Sequence, residues 1–236
     1  MRLIKHKIID DMTKEAICAR HNEFKKYDMR YYDIHYWAED IPNVVVKTKY
    51  TYNDPGHLNR FTILANSITN VIGGCNKLLD VGCGTGLFIN KMNNNCKYLF
   101  GIDPSKYAIK KARYNVNISK NNNVVLVQGE ARMLPFNNNM FDAVCCFDVL
   151  EHIPCFDVYA SIKEICRVSN RFIILSINMD NPYDYHPTIL PRNEWNTIIT
   201  NNKGIKEMPI MRHKIEMILS KSHREYSIFC YKKESK

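Results

Sequence analysis

The strongest chemical signal lies at residues 78–86, where an apolar, strand-like run leads into glycines and then into a helical pattern. Glycines at such a turn permit a positive φ and let a ligand approach the backbone closely. The helix that follows offers free N–H groups and the positive end of its dipole. The dinucleotide fingerprint needs Gly-x-Gly-x-x-Gly, whereas Gly82, Gly84 and Gly86 are each two apart and follow an acid, Asp80. The spacing therefore argues against a dinucleotide.

Two histidines, His152 and His186, follow predicted strands and have the chemistry of a general base. His152 comes just after the fourth strand, at the carboxyl edge where open α/β sheets bind ligands. An imidazole, whose ordinary pKa is about 6.5, can take up a proton at neutral pH. His186 comes after the fifth strand, in a loop that precedes Trp195. The alternatives are that His152 packs or caps the next helix and that His186 is a structural loop residue.

Short apolar runs alternate with helical patterns from residue 77 onward, which is typical of βαβ units and a parallel sheet. The pattern predicts strands at residues 77–81, 98–102, 123–127, 141–147 and 171–177, and helices at residues 86–93, 105–116 and 156–168. Towards the end of the chain, a helix near residues 193–200 precedes strands around 208–217 and 226–231, which are close enough to form a hairpin. We therefore expect an α/β, Rossmann-like, doubly wound fold. Its seven-stranded sheet should be mostly parallel, with an antiparallel C-terminal hairpin.

The first part of the chain has a different pattern, amphipathic and rich in tyrosine, which ends at the turn-forming residues 53–56. We expect residues 1–56 to form a helical cap on a core of residues 57–236. Its aromatic residues should cover the ligand at the glycine turn and form one wall of the adjoining pocket, because the core lacks a lid of its own. These residues are Tyr27, Tyr31, Tyr32, Tyr36 and Trp37.

Together these motifs resemble the class I S-adenosylmethionine-dependent methyltransferases, and among them the small-molecule type that includes the ubiquinone-pathway and sugar O-methyltransferases. The resemblance runs from about residue 58 to residue 178. It rests on the acid before Gly-x-Gly-x-Gly, the acid after the second strand, a segment at 128–136 similar to Gly-Asp-Ala-x-x-Leu-Pro-Phe, and Leu-Glu-His at 150–152. The resemblance implies that S-adenosylmethionine is the cofactor and S-adenosylhomocysteine the product.

The resemblance also implies particular cofactor contacts. The glycine turn would pack against the methionine part, Asp80 would help hold the amino group, and Asp103 would accept the ribose hydroxyls unless it only caps the next helix. Glu130, which replaces the usual Asp, would reach the adenine amino group unless it is a surface residue. Residues 147–154 would lie beneath the cofactor, and Arg60 would pair with the methionine carboxylate unless it is a solvated helix charge. The implied cofactor-binding residues are Arg60, Asp80, Gly82, Cys83, Gly84, Gly86, Asp103, Pro104, Glu130, Ala131, Asp148 and Val149.

The composition of the chain limits which partners it can bind and where in the cell we expect it. The chain carries a formal net charge of +9, but its lysines are dispersed, so a small-molecule acceptor is favoured over a nucleic acid. No cysteine pair has CxxC spacing, and we predict no metal. There is no signal-peptide core and no apolar run near the roughly 20 residues of a membrane span. We expect a cytoplasmic protein without a membrane partner; the oligomeric state is left open.

The segment after the fourth strand limits the chemical groups that can be the methyl acceptor. Methyltransferases that act on exocyclic amino groups of bases usually carry Asn/Asp-Pro-Pro-Tyr/Phe there, whereas residues 148–151 read Asp-Val-Leu-Glu. We therefore expect methylation of a hydroxyl group on a small molecule or sugar-type acceptor, with His152 or His186 as the general base. The alternatives are an N-methyltransferase acting on a small amine, an RNA methyltransferase and a non-catalytic cofactor-binding subunit.

Overall fold

The structure, a computed structural model, describes residues 55–117, 122–179, 186–219 and 227–234. The helical cap predicted for residues 1–56 lies outside the described residues, except for its last two positions. Pro55 and Gly56 begin the first described helix rather than ending a turn. Proline suits the first position of a helix because its missing N–H would have no partner there.

The described part of the chain forms seven strands in the order β3-β2-β1-β4-β5-β7-β6. Strands β1 to β5 are parallel, and β7 is antiparallel to both β5 and β6. The predicted mostly parallel, Rossmann-like α/β sheet is therefore confirmed. The strands are β1 (Cys75–Val81), β2 (Cys96–Asp103), β3 (Val124–Gln128), β4 (Phe141–Phe147), β5 (Ser169–Ile177), β6 (Ile205–Glu207) and β7 (Ser227–Lys233). The helices are α1 (Pro55–Ile72), α2 (Leu87–Met92), α3 (Lys106–Asn115), α4 (Cys155–Val168), α5 (Arg192–Thr200) and α6 (Pro209–Leu219).

The strands read as nearly continuous apolar runs because both faces of the sheet are covered. In β4, Val144 and Cys146 contribute to the core on one face, whereas Ala143 and Cys145 contribute to the core on the other. All four side chains are fully buried. Small thiol and methyl groups thus fill the centre of the sheet, as expected for cysteines that pack as apolar residues.

One predicted strand is wrong. Residues 208–217 were expected to form the first strand of the hairpin, but they lie almost entirely in the helix α6. Its buried residues, Met211, Ile215 and Leu219, are spaced four apart, which is helical periodicity. The antiparallel partner of β7 is the short strand β6, just before this helix. The ends of the other predicted strands and helices from residue 77 onward agree with the structure to within two residues.

The order of the strands creates a crevice at one edge of the sheet. The strand β1 pairs with β2 on one side and with β4 on the other, so the chain reverses its direction of winding at β1. In open α/β sheets, ligands bind outside the carboxyl ends of the strands at this point. The predicted glycine turn follows β1, and the Leu-Glu-His segment follows β4. The topology therefore brings the two motifs to the same crevice.

Gly101 shows how tightly β2 packs beneath this edge. A Cβ atom added at Gly101 would clash with Ile89 and would lie 2.7 Å from Leu126 Cδ2 and 2.8 Å from Cys83 Sγ. We expect Gly101→Ala to lower the free energy of unfolding by about 1–3 kcal/mol, because the overpacked side chains must shift. Urea denaturation measures this change. Tyr114→Ala, at an exposed helix position, should stay within about 0.5 kcal/mol of the wild type; equal stability of the two variants would contradict the prediction.

Candidate active site

The glycine turn after β1 has the backbone conformation for which glycine is suited. Gly82, Gly84 and Gly86 have φ values of 75°, 49° and 78°, all in the left-handed region. The N–H groups of Gly82 and Cys83 donate to the carbonyl of Ile102 at 2.8 and 3.1 Å, which fixes the turn to the end of β2. A Cβ atom at Gly82 would clash with the side chain of Val149, so the turn also closes on the segment after β4. The sequence-predicted residues Gly82 and Val149 are thus in direct contact.

Two buried carboxyl groups flank this turn. The Asp103 carboxylate accepts hydrogen bonds from the N–H groups of Gly84 and Ser105, each at 2.9 Å. The side chain that caps α3 is Ser105, which accepts from the Ala108 N–H at 3.0 Å. Burial, with a further contribution from the negative charge of Asp103, raises the pKa of Asp80 to about 8. Two acids held together out of water favour a ligand that offers positive charge and hydroxyl donors.

The segment after β3 lies beside these acids. The N–H of Gly129 donates to the backbone carbonyl of Asp103 at 3.1 Å, which places the next residues at the same edge. The Glu130 side chain is half exposed and accepts from Arg132 Nε at 2.5 Å. The next residue, Ala131, packs against the core. The carboxylate predicted to face the adenine is therefore held by an arginine at the rim.

Arg60 and Asp148 form the best-connected ion pair near the crevice. The guanidinium of Arg60 donates to both carboxylate oxygens of Asp148, one of them at 3.0 Å, and to Ser176 Oγ at 2.9 Å. Ser176 Oγ in turn donates to Asp148 Oδ1 at 2.7 Å. Burial alone would raise the pKa of Asp148, but the Arg60 charge and hydrogen bonds outweigh it and hold the pKa below its ordinary value. The structure thus brings these two sequence-predicted residues onto each other, with Asp148 in a left-handed conformation at φ 55°.

The two predicted histidines lie together although 34 positions separate them in sequence. The ring centroids of His152 and His186 are 4.4 Å apart at an interplanar angle of 65°, and both rings are buried. His152 ends a short 3-10 turn, Leu150–His152, after β4. The loop that carries His186 is tied to this turn, because Thr188 donates through its N–H to the carbonyl of Glu151 at 3.2 Å and through Oγ1 to that of Ile153 at 2.6 Å.

The sequence interpretation assigned no role to Glu151 or Ser176, although both belong to this region. Glu151 is fully buried beside His152, and burial, followed by the charge of Asp148, raises its pKa to about 8. The signal was present in the Leu-Glu-His motif, because an acid inside an otherwise apolar segment is rarely buried without a reason. Ser176 could not be identified in this way, since a serine near a strand end is common.

Comparisons with known proteins indicate a methyltransferase domain. Residues 79–171 match the family model described as a methyltransferase domain. The chain is 34% identical over 94 residues to the demethylmenaquinone methyltransferase of Shouchella clausii, a match that covers 39% of each chain. It is 28% identical over 181 residues to the ubiquinone biosynthesis O-methyltransferase of Nitrosomonas europaea, covering 74% of this chain and 69% of that enzyme.

The fold is also similar to that of the magnesium protoporphyrin IX methyltransferase from Synechocystis PCC 6803, solved with bound S-adenosylhomocysteine. The TM-score is 0.60 at 16% identity, over 97% of this chain and 99% of the other.

None of the helices within the described ranges has the length and apolar character needed to cross a membrane. The glycine turn, the paired acids and the histidine pair all fall at the carboxyl edge of this shared fold.

Proposed function

We propose that this chain, which belongs to the class I S-adenosylmethionine-dependent methyltransferases, transfers a methyl group to a hydroxyl group of a small molecule or sugar-type acceptor. The observation that carries the proposal is the buried pair of His152 and His186, at the same sheet edge as the glycine turn. A hydroxyl acceptor must lose its proton, and imidazoles are suited to take it. We propose that the pair carries out this deprotonation, in the simplest case with one imidazole as the general base.

The cofactor, S-adenosylmethionine, supplies a methyl group on a sulfonium and presents an ammonium, a ribose and an adenine. The residues at the turn suit these groups. In our proposal Asp80 holds the ammonium, and Asp103, with Pro104 beside it, accepts the ribose hydroxyls, as a carboxylate at the end of β2 can do. Glu130 and Ala131 face the adenine, and Asp148 and Val149 lie beneath the cofactor. Arg60, which is held in place by its ion pair with Asp148, pairs with the methionine carboxylate.

Because the sulfonium leaving group needs no acid, the protein's own contribution is to position the acceptor and remove its proton. The glycine turn and the histidine pair hold fixed backbone positions, through the contacts of Gly82 with Ile102 and of Thr188 with Glu151. Holding the reactants in the reactive geometry lowers the entropic part of the activation barrier, which is the largest contribution that an enzyme of this kind can make.

The proposal is tested by measuring release of S-adenosylhomocysteine with panels of phenols, sugars, nucleotide-sugars, amines and bulk RNA. We expect turnover with hydroxyl-bearing small molecules. Turnover with amines alone would contradict a hydroxyl acceptor and identify a small amine instead. Turnover with RNA alone would identify a nucleic acid as the acceptor. Absence of turnover with every panel, in a protein that binds the cofactor, would favour a non-catalytic binding subunit.

The raised pKa of Asp80 predicts that cofactor binding depends on pH. In the free protein the Asp80 carboxyl is mostly protonated below its pKa of about 8, whereas an ammonium ligand favours the carboxylate. Binding should therefore release a proton, and affinity for S-adenosylhomocysteine should rise between pH 6 and pH 8, by at most about tenfold per pH unit. Isothermal titration calorimetry measures this slope. Asp80→Asn should flatten it, whereas Asp142→Asn, at the start of β4 on the opposite edge, should keep it; an unchanged slope in Asp80→Asn would contradict the contact.

We further propose that residues 1–56 act as a cap that covers the core of residues 57–236 and completes the acceptor pocket. In the full-length chain, Tyr36→Ala combined with Trp37→Ala should lower turnover about 10-fold or more, because a lid that excludes water strengthens the interactions inside the site. Cofactor affinity should also fall, but by less than turnover, because the segment covers the cofactor as well as completing the acceptor pocket. The test is steady-state kinetics beside calorimetry, with Tyr114→Ala, at an exposed position of the core, as the control. Wild-type turnover in the double variant would assign the segment another role.

A further inference from the structure

The side chains of Glu151, His152 and His186 converge on one point. Each offers one ligand atom, a carboxylate oxygen or an imidazole nitrogen, and these three atoms lie within 4.8 Å of one another. In a tetrahedral Zn²⁺ site with bonds of about 2.0–2.2 Å, the ligand atoms lie about 3.3–3.6 Å apart. A small rotation of the side chains therefore brings all three atoms into coordination distance. All three residues are buried.

The carboxylate of Glu151 is only half satisfied in this position. Its Oε1 accepts a hydrogen bond from the Asn178 N–H at 2.9 Å, whereas its Oε2 is buried and has no hydrogen-bond partner. The side chain is 0% exposed, so water does not solvate it. Leaving a buried acceptor unpaired costs free energy, and more when the group carries charge. A cation beside Oε2 would remove this cost.

The neighbouring ions do not provide that cation within the described part of the chain. The Arg60 guanidinium donates to Asp148 and Ser176. Burial raises the pKa of Glu151, which the charge of Arg60 lowers only as a minor contribution, and Glu151 Oε2 receives no hydrogen bond. Asp148, the other acid of this segment, is already paired with that arginine. The group that faces Glu151 is the pair of imidazoles, which coordinate metal ions through either ring nitrogen.

We propose that Glu151, His152 and His186 bind a divalent transition-metal ion. Two imidazoles and one carboxylate are the ligand set of His₂Glu zinc sites and of the two-histidine, one-carboxylate sites of other first-row metals. Imidazole nitrogens favour Zn²⁺ over Mn²⁺, Mg²⁺ and Ca²⁺, which prefer oxygen ligands. The sequence predicted no metal, because it does not show that a residue of the loop after β5 meets a dipeptide after β4.

This site deepens the proposed function and, for its catalytic part, rests on it. Three protein ligands leave coordination positions open for an oxygen of the acceptor. A hydroxyl bound to the ion loses its proton more readily, as water does on zinc. The imidazole nitrogens that face the ion then serve as its ligands. The proton of the bound hydroxyl leaves to solvent water, and the oxygen takes the methyl group from the sulfonium, which departs as the neutral thioether. The acceptor is thereby specified as a compound whose hydroxyl group can bind a metal.

The test uses the full-length protein, stripped with a chelator that is then removed by dialysis, and titrated with ZnCl₂, MnCl₂ or MgCl₂. We expect one Zn²⁺ ion per chain in calorimetry, a higher melting temperature with the ion, and weaker binding of Mn²⁺ and Mg²⁺. Glu151→Gln and His186→Ala should each weaken Zn²⁺ binding about 10-fold or more. His213→Ala, at an exposed position of α6, should bind as the wild type does. Retained binding of S-adenosylhomocysteine shows that the variants are folded.

The outcomes separate the metal site from the proposed function. No stoichiometric ion binding, or binding that Glu151→Gln and His186→Ala leave unchanged, would overturn the site. Full turnover in the chelator-treated, metal-free protein would overturn the ion's part in deprotonation and leave hydroxyl methylation standing. A stoichiometric ion lost in both variants supports the site even if no acceptor is methylated, in which case only the proposed function fails.

Discussion

Gly84→Val is expected to abolish binding of S-adenosylmethionine and S-adenosylhomocysteine and, with it, all methyl transfer. Gly84 adopts φ 49° in the centre of the turn, a conformation that a β-branched residue adopts at a large steric cost. Its N–H also donates to the Asp103 carboxylate at 2.9 Å, so a shifted backbone would move that acid. We expect affinity to fall at least about 100-fold, or ~2.7 kcal/mol. Calorimetry with S-adenosylhomocysteine measures the loss.

The chain offers a matched control for this substitution. Gly74 also has a positive φ, 84°, but it precedes β1 at the opposite edge of the sheet and has no atom within 4 Å of an added Cβ. Gly74→Val therefore introduces comparable backbone strain far from the proposed cofactor site, and it should lower stability while leaving cofactor affinity nearly unchanged. If a folded Gly84→Val protein bound the cofactor as tightly as the wild type, the turn would not be the cofactor site.

The sheet was predictable from sequence because each strand is identified by residues that are adjacent in the chain. Each buried parallel strand is a short apolar run, and the glycine turn follows the first of them within a few residues. The region around residues 208–217 failed because short apolar runs fit a strand or a helix equally well until one knows which residues are buried. There, Met211 and Ile215 face the core and place a helix where a strand was expected.

The candidate site was only partly predictable because its polar partners are distant in sequence. Arg60 was interpreted as a cofactor ligand on its own, yet its guanidinium contacts Asp148 and Ser176, which lie 88 and 116 positions away. In the same way, the distance between His152 and His186 and the unpaired oxygen of Glu151 are properties of the folded chain. A motif names such residues, but only the tertiary structure shows which of them face each other.

The second large effect is expected at the histidine pair. His152→Ala or His186→Ala should lower turnover about 100- to 10,000-fold, the usual contribution of positioned proton transfer, which corresponds to about 3–5 kcal/mol of transition-state stabilisation. The KM for S-adenosylmethionine should change little, because neither ring is proposed to contact the cofactor. His213→Ala, on the surface of α6, is the matched control and should keep wild-type kinetics.

The double variant His152→Ala/His186→Ala distinguishes a cooperating pair from two separate residues. The two rings lie 4.4 Å apart beside one carboxylate. If they act as a unit, directly or as ligands of one ion, losing the first already removes most of the function, and the double variant should be scarcely slower than the worse single variant. Independent contributions would instead multiply. Steady-state kinetics of the four proteins under one condition decides between these results.

Near-wild-type turnover in both single variants would mean that neither histidine of the pair removes the proton. An amine acceptor that loses its own proton to water would then be the better interpretation.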